Sequence, residues 1–222
     1  MPENANIDIN VEFEHVLKWA SDNKLTVNMA KTKEIVFHRP NPKNFVAPNE
    51  IQGIERVLFA KLLGVWLQPD LGTKKHCDYV LNICNQRLYL LTQMKKQGLP
   101  LTKLQNIFEA IIVSRILYGA PAWSGYVHSS DIECLQKMLL KAKRWQIVSN
   151  DYNVVDLFKE CDATLFRAAL NSGHSLNHLF PAKRQHIHGM ALRPRGHNFS
   201  LPKLRYQCAK NSFINRSLFL YV

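Results

Sequence analysis

Two successive aspartates occur nowhere in this 222-residue chain, and residues 163–222 contain neither aspartate nor glutamate. The first absence removes the simplest way of holding two carboxylates on one turn around a pair of divalent ions. The second leaves nine cations unopposed within their own stretch: Arg167, Lys183, Arg184, Arg193, Arg195, Lys203, Arg205, Lys210 and Arg216. Cysteine is sparse. Cys77, Cys84, Cys134, Cys161 and Cys208 are odd in number and form no CxxC, which argues against a disulfide framework and for a reducing compartment. Long apolar runs are also missing. The longest, Ile107 to Tyr118, is interrupted by charge and falls short of the roughly 20 residues that a membrane span needs. The first fifteen residues are acidic and polar, without the basic and apolar regions of a signal peptide. The expectation is an intracellular protein, nuclear or cytoplasmic, not secreted and without a membrane anchor.

What is present is a core and an excess of positive charge. Hydrophobic residues make up 46% and aromatics 10%, enough for one domain or two small ones and unlike a disordered chain. The net charge of +12 favours polyanionic partners, a nucleic acid or an anionic membrane surface.

Periodicity divides the chain. Phe13, Val16, Leu17 and Ala20 share a helical face within 11–23. Short strands are expected at 25–28 and 34–38, around a turn at 30–33, and a β segment at 51–68. From residue 75 the period becomes helical. Val80, Ile83, Cys84, Leu88, Leu91 and Met94 mark one helix, broken at Gly98-Leu99-Pro100. Leu104, Ile107, Phe108, Ile111, Ile112 and Arg115 mark a second, ending near Tyr118-Gly119. Ile132, Leu135, Leu139, Ala142 and Trp145 mark a third, with Ser130 and Glu133 placed for a capping box. Shorter helices are predicted at 154–161 and 164–171, then an irregular basic tail with an apolar run from Phe213. The fold class is α+β: a short antiparallel β segment followed by a mostly helical bundle and a basic tail. The domain boundaries fall at 1–72, 73–150 and 151–222.

Several stretches resemble one family in order and spacing. They are Leu17-Lys18-Trp19-Ala20 through Asn28 to Lys31-Thr32-Lys33, then Lys61-Leu62-Leu63-Gly64-Val65-Trp66-Leu67, then Leu117-Tyr118-Gly119-Ala120-Pro121-Ala122-Trp123. Leu192-Arg193-Pro194-Arg195-Gly196-His197 and Asn215-Arg216-Ser217-Leu218-Phe219 follow. Together they resemble the part of LINE-type, non-LTR retrotransposon reverse transcriptases downstream of the catalytic aspartates: the end of the palm, the thumb and the tail.

The resemblance implies roles. Lys31 and Lys33 would lie near the phosphates of an incoming nucleotide. Leu63-Gly64-Val65 would be the primer grip, with Gly64 allowing close backbone approach. The helical region would be the thumb, and Lys95, Lys96, Lys103, Lys137, Lys141, Lys143 and Arg144 would contact phosphates of RNA, DNA or an RNA–DNA hybrid. Arg193 and Arg195 would add phosphate contacts from the tail. The family's two magnesium ions need aspartates that this chain lacks, so no cofactor is expected here. The reading is a truncated RNA-directed DNA polymerase that is inactive alone and keeps at most nucleic-acid binding. Its alternative is a non-enzymatic nucleic-acid-binding or interaction module. His174, His178, His186 and His188 are spaced for a metal, but no cysteine pair accompanies them, so no metal site is assigned. Trp19, Trp66, Trp123 and Trp145 are candidates for stacking on bases, although tryptophan at such spacing is usually core.

Overall fold

A computed structural model describes residues 8–39, 45–184 and 197–221. Its contacts divide into two units, residues 1–71 and 72–222. The chain is α+β and mostly helical, with two small β pairs among the described residues.

The first unit begins with α1 (Ile9–Asp22), whose N-cap Asp8 accepts the Asn10 N–H at 2.9 Å. The helix closes by a Schellman motif. Lys24 adopts φ +57° and donates to the Ser21 carbonyl, and the Leu25 N–H donates to the Ala20 carbonyl at 2.8 Å. This bond overturns the strand expected at 25–28, because the Leu25 N–H is already committed to the helix. Residues 29–31 instead form a 3₁₀ turn, with Asn28 Oδ1 accepting the Lys31 N–H.

The strand expected at 34–38 is also shorter than its alternation implies. β1 (Lys33–Glu34) pairs with β2 (Glu55–Arg56), and the pairing is parallel. β3 (Ala60–Leu62) and β4 (Val65–Leu67) form an antiparallel hairpin in the register Ala60↔Leu67 and Leu62↔Val65. The β segment is therefore one parallel and one antiparallel pair, rather than antiparallel throughout. Leu63 and Gly64 make the hairpin turn with φ +46° and +87°. Positive φ at both positions is the type I′ pattern, whose twist matches that of the strands. Glycine takes this conformation freely, whereas Leu63 takes it under strain. The core of this unit is thin: only Ala20, Ile51 and Ile54 are buried hydrophobics.

The second unit is built on α2 (Lys74–Lys96). His76, Cys77, Val80, Cys84, Leu88 and Leu91 are its buried stripe, at the spacing of one helical face. Gly98 (φ +88°) closes α2 with a second Schellman motif, donating to Lys95 while Leu99 donates to Met94. Pro100 then begins α3 (Leu101–Phe108), which runs through a π turn at Glu109–Val113 into α4 (Ser114–Leu117). Gly119, left-handed at φ +61°, turns the chain into α5 (Ala120–Trp123).

α6 (Ser129–Arg144) is capped by His128, with no side-chain capping bond. The expected Ser130–Glu133 capping box does not form, because Ser130 already lies inside the helix. α6 ends in a third Schellman motif, with Gln146 at φ +53° donating to Lys143 and Ile147 donating to Ala142. The two short helices predicted at 154–161 and 164–171 are a single one, α7 (Val154–Ala169), capped by Asn153 Oδ1. Its buried Val154, Phe158, Phe166 and Ala169 keep one face throughout. The described tail carries α8 (Gln207–Asn211) and α9 (Phe213–Leu220).

Candidate nucleic-acid interface

α2 and α6 run in the same direction. Lys74 at the start of α2 lies 3.5 Å from the buried Asp131 in the first turn of α6. At the other end, Lys95 Nζ donates to the Trp145 carbonyl at 2.8 Å and lies 3.2 Å from Gln146 Oε1. Two helix C-termini therefore meet, each with its negative dipole end and its last unpaired carbonyls. Lys95 and Lys96 stand in the last turn of α2, and Lys141, Lys143 and Arg144 in that of α6.

The dipoles account for part of this charge and local partners for more. Lys143 is salt-bridged to Asp151. Lys141 Nζ stands 4.4 Å from the centre of the Trp145 ring, a cation–π contact. Lys96 and Arg144 are exposed, and neither has an ion-pair partner among the described residues. Trp145 is 38% exposed beside them. Exposed cations around a partly exposed indole can neutralise phosphate and offer a base a stacking face.

The first unit's candidates are placed differently. Lys31 ends the 3₁₀ turn and is exposed. Lys33 is held in a salt bridge to Glu55, across the β1–β2 pair. Arg56 makes a two-pronged bond to Glu34, with Nε to Oε2 at 3.0 Å and Nη2 to Oε1 at 2.9 Å. These carboxylates raise the Arg56 pKa, chiefly through that hydrogen bond. Gly64 sits at the tip of the hairpin.

The tail departs most from its composition. Arg216 is not a surface cation. Its guanidinium grips Asp162 of α7 through Nε at 2.8 Å and Nη2 at 2.7 Å. It also donates to the carbonyls of Asn211 and Pro121 and to Ser124 Oγ. Both side chains are largely buried. The acid-free stretch thus takes its counter-charge from one residue upstream of its own boundary.

His197 is buried as well. Its Nε2 lies 2.7 Å from the Leu218 carbonyl, and its Nδ1 accepts the Phe199 N–H. A carbonyl can only accept and an N–H can only donate, so the ring is the neutral Nε2–H tautomer. Arg193 and Arg195, like His186 and His188, lie outside the described residues. A cavity of about 280 Å³ is lined by Ala163, Phe166, Arg167, Leu170, His197 and Tyr221.

Trp123 is core, 2% exposed, set edge-on to His76 and Phe158. Its Nε1–H donates to the Tyr118 carbonyl at 3.0 Å. The Tyr-Gly-x-x-x-Trp spacing therefore encodes a turn: Gly119 bends the chain and Trp123 ties it back. Trp19, by contrast, is 61% exposed.

No group of three His, Cys, Asp or Glu among the described residues is arranged to hold a metal. Glu34 is committed to Arg56, and Asp8 to capping α1. The described residues thus do not fit the two-ion arrangement that the resemblance implies. No described helix is long and apolar enough to cross a membrane.

No protein-family model, curated protein or solved structure matches this chain.

Sequence pattern alone did not single out Arg87, Tyr79 and Tyr118 as a group with Arg115. They border apolar stripes, so periodicity assigns them to a helix edge. Only the pairing of α2 with the 101–117 run brings them together.

Proposed function

We propose that this chain binds RNA, DNA or an RNA–DNA hybrid through the basic end of α2 and α6, as the downstream part of a LINE-type reverse transcriptase. In this reading residues 1–72 are the end of the palm, the helices that follow are thumb-like, and the chain alone does not polymerise. The observation that carries the binding is the convergence of Lys95, Lys96, Lys141 and Arg144 around Trp145. The resemblance in order and spacing supplies the polymerase context. The thin core of the first unit agrees with a β segment that belongs to a larger sheet.

The test is a salt titration of binding to duplex DNA, RNA and hybrid. A steep salt slope with preference for hybrid supports a thumb-like role. Equal, salt-dependent binding to all three favours the alternative, a non-enzymatic nucleic-acid-binding module. No binding at low salt overturns both. Nucleotide addition to a primer by the pure chain would overturn the claim of inactivity.

A further inference from the structure

We infer that Arg87, Arg115, Tyr79 and Tyr118 form a second contact surface, one that takes an unpaired base and its phosphate from single-stranded nucleic acid. The inference rests on the nucleic-acid reading above but concerns a different face of the helical unit.

Tyr79, Ile83 and Arg87 lie at i, i+4 and i+8 along the edge of the buried stripe of α2. Ile111, Arg115 and Tyr118 lie at i, i+4 and i+7 along the facing run. The two stripes meet in antiparallel order. The Arg115 guanidinium stands 5.1 Å from the Tyr79 ring and 5.7 Å from the Tyr118 ring. At the other end, Arg87 Nη1 donates to the Ile111 carbonyl. That carbonyl belongs to the π turn, where the ordinary helical bonding pattern is interrupted. π turns inside α-helices often mark functional positions.

The chemistry of the four side chains is lopsided. Neither arginine forms an ion pair among the described residues, whereas Arg56 and Arg216 each grip a carboxylate. Arg115 Nε is buried and has no hydrogen-bond acceptor. Two half-buried guanidinium groups near one thiol, Cys84, and without a carboxylate call for an anion. Tyr118 is 50% exposed, so one aromatic edge of the cluster is open to solvent. An arginine between aromatic rings offers a flat face to an unpaired base, and its free donors suit a phosphate oxygen. A duplex keeps its bases stacked inside and does not satisfy that face.

The experiment follows fluorescence anisotropy of an oligothymidylate of about ten nucleotides, across a salt series, with the full chain. Arg115→Gln is expected to weaken binding about tenfold and to flatten the salt slope by about 0.7, the value of one single-strand phosphate contact. Tyr118→Leu is expected to weaken binding about fivefold or more with the slope unchanged, since a stacking contact releases no counterions. Arg167→Gln, on α7, serves as the charge control and leaves affinity within about twofold. Thermal melts check folding. If Arg115→Gln does not fold, Arg115→Lys, which keeps the charge and loses the planar fork, is read beside Tyr118→Leu. Wild-type binding that neither variant alters overturns this surface and leaves the proposed function standing. Absence of wild-type binding to any nucleic acid overturns both.

Discussion

Residues 1–71 and 72–222 are made from similar amino acids but bury them to very different degrees. The second unit encloses Phe108, Leu88, Leu91, Leu104, Ile112, Ile116, Leu135 and Leu139 almost completely. The first exposes Trp19 at 61%, Leu58 at 70%, Leu62 at 60% and Leu63 at 84%. Hydrophobic content alone does not stabilise a fold; enclosure does, because stabilisation scales with apolar area removed from water. The longest strand in the first unit has three residues. A hairpin of that size is marginal without a third strand or a covering helix.

The largest expected effect sharpens this contrast. Phe108→Ala in the second unit is expected to cost about 3–5 kcal/mol, whereas Leu62→Ala in the first should lie within about 0.5 kcal/mol. Chemical denaturation of the two variants measures the difference, and equal losses would refute it.

Next comes the buried ion pair. Asp162→Ala leaves the Arg216 guanidinium without its carboxylate and is expected to cost about 3–5 kcal/mol. A drop in melting temperature no larger than that of a surface substitution would show that the tail is not anchored there.

Alkaline pH tests the same core. Burial pushes the Cys77 and Cys84 thiols up to about 11 from an ordinary value near 9. A raised folded pKa means that the unfolded chain loses these protons first. Their contribution to stability is therefore whole below pH 9 and is lost as the pH climbs toward 11. A denaturation series from pH 8 to 11 should fall within that window, and Cys84→Ala should shallow the fall. At pH 8 the exposed Cys134 and Cys208 should react with a thiol reagent well before either buried one.

The smallest effects concern helix ends. Lys24→Gly and Gln146→Gly are each expected to stabilise by about 1 kcal/mol, because a left-handed residue with a Cβ is strained. Gly98→Ala is expected to cost a similar amount. Differential melts resolve these shifts, and stabilisation by Gly98→Ala would contradict the shared geometry.

Those three helix ends also show what was legible in the sequence. All three close alike, but only α2 announces it with a glycine, and that is the one break the sequence located. α1 and α6 close on Lys24 and Gln146, which carry no such signal. The strand at 25–28 was misassigned for that reason: β-forming side chains said strand, while one backbone bond to Ala20 had already decided otherwise. Long amphipathic stretches such as α2 and α6 were legible because many residues vote together. The basic end was visible in sequence as lysines in α2 and α6, but not as one place, since it depends on the two helices running in the same direction. The charge of Arg216 was visible, and its burial against Asp162 was not.

The π turn at Glu109–Val113 carries one residue more than an α-helical turn would hold. Deleting any one of those five positions would restore a plain helix, rotating everything after it by about 100° and drawing it back by about 1.5 Å. Composition, net charge and hydropathy would hardly change. Arg115 would nevertheless leave Tyr79, and the Tyr118-Gly119 corner would turn to another heading. A relative one residue shorter at this point would align well along its length and still show its surroundings a different surface.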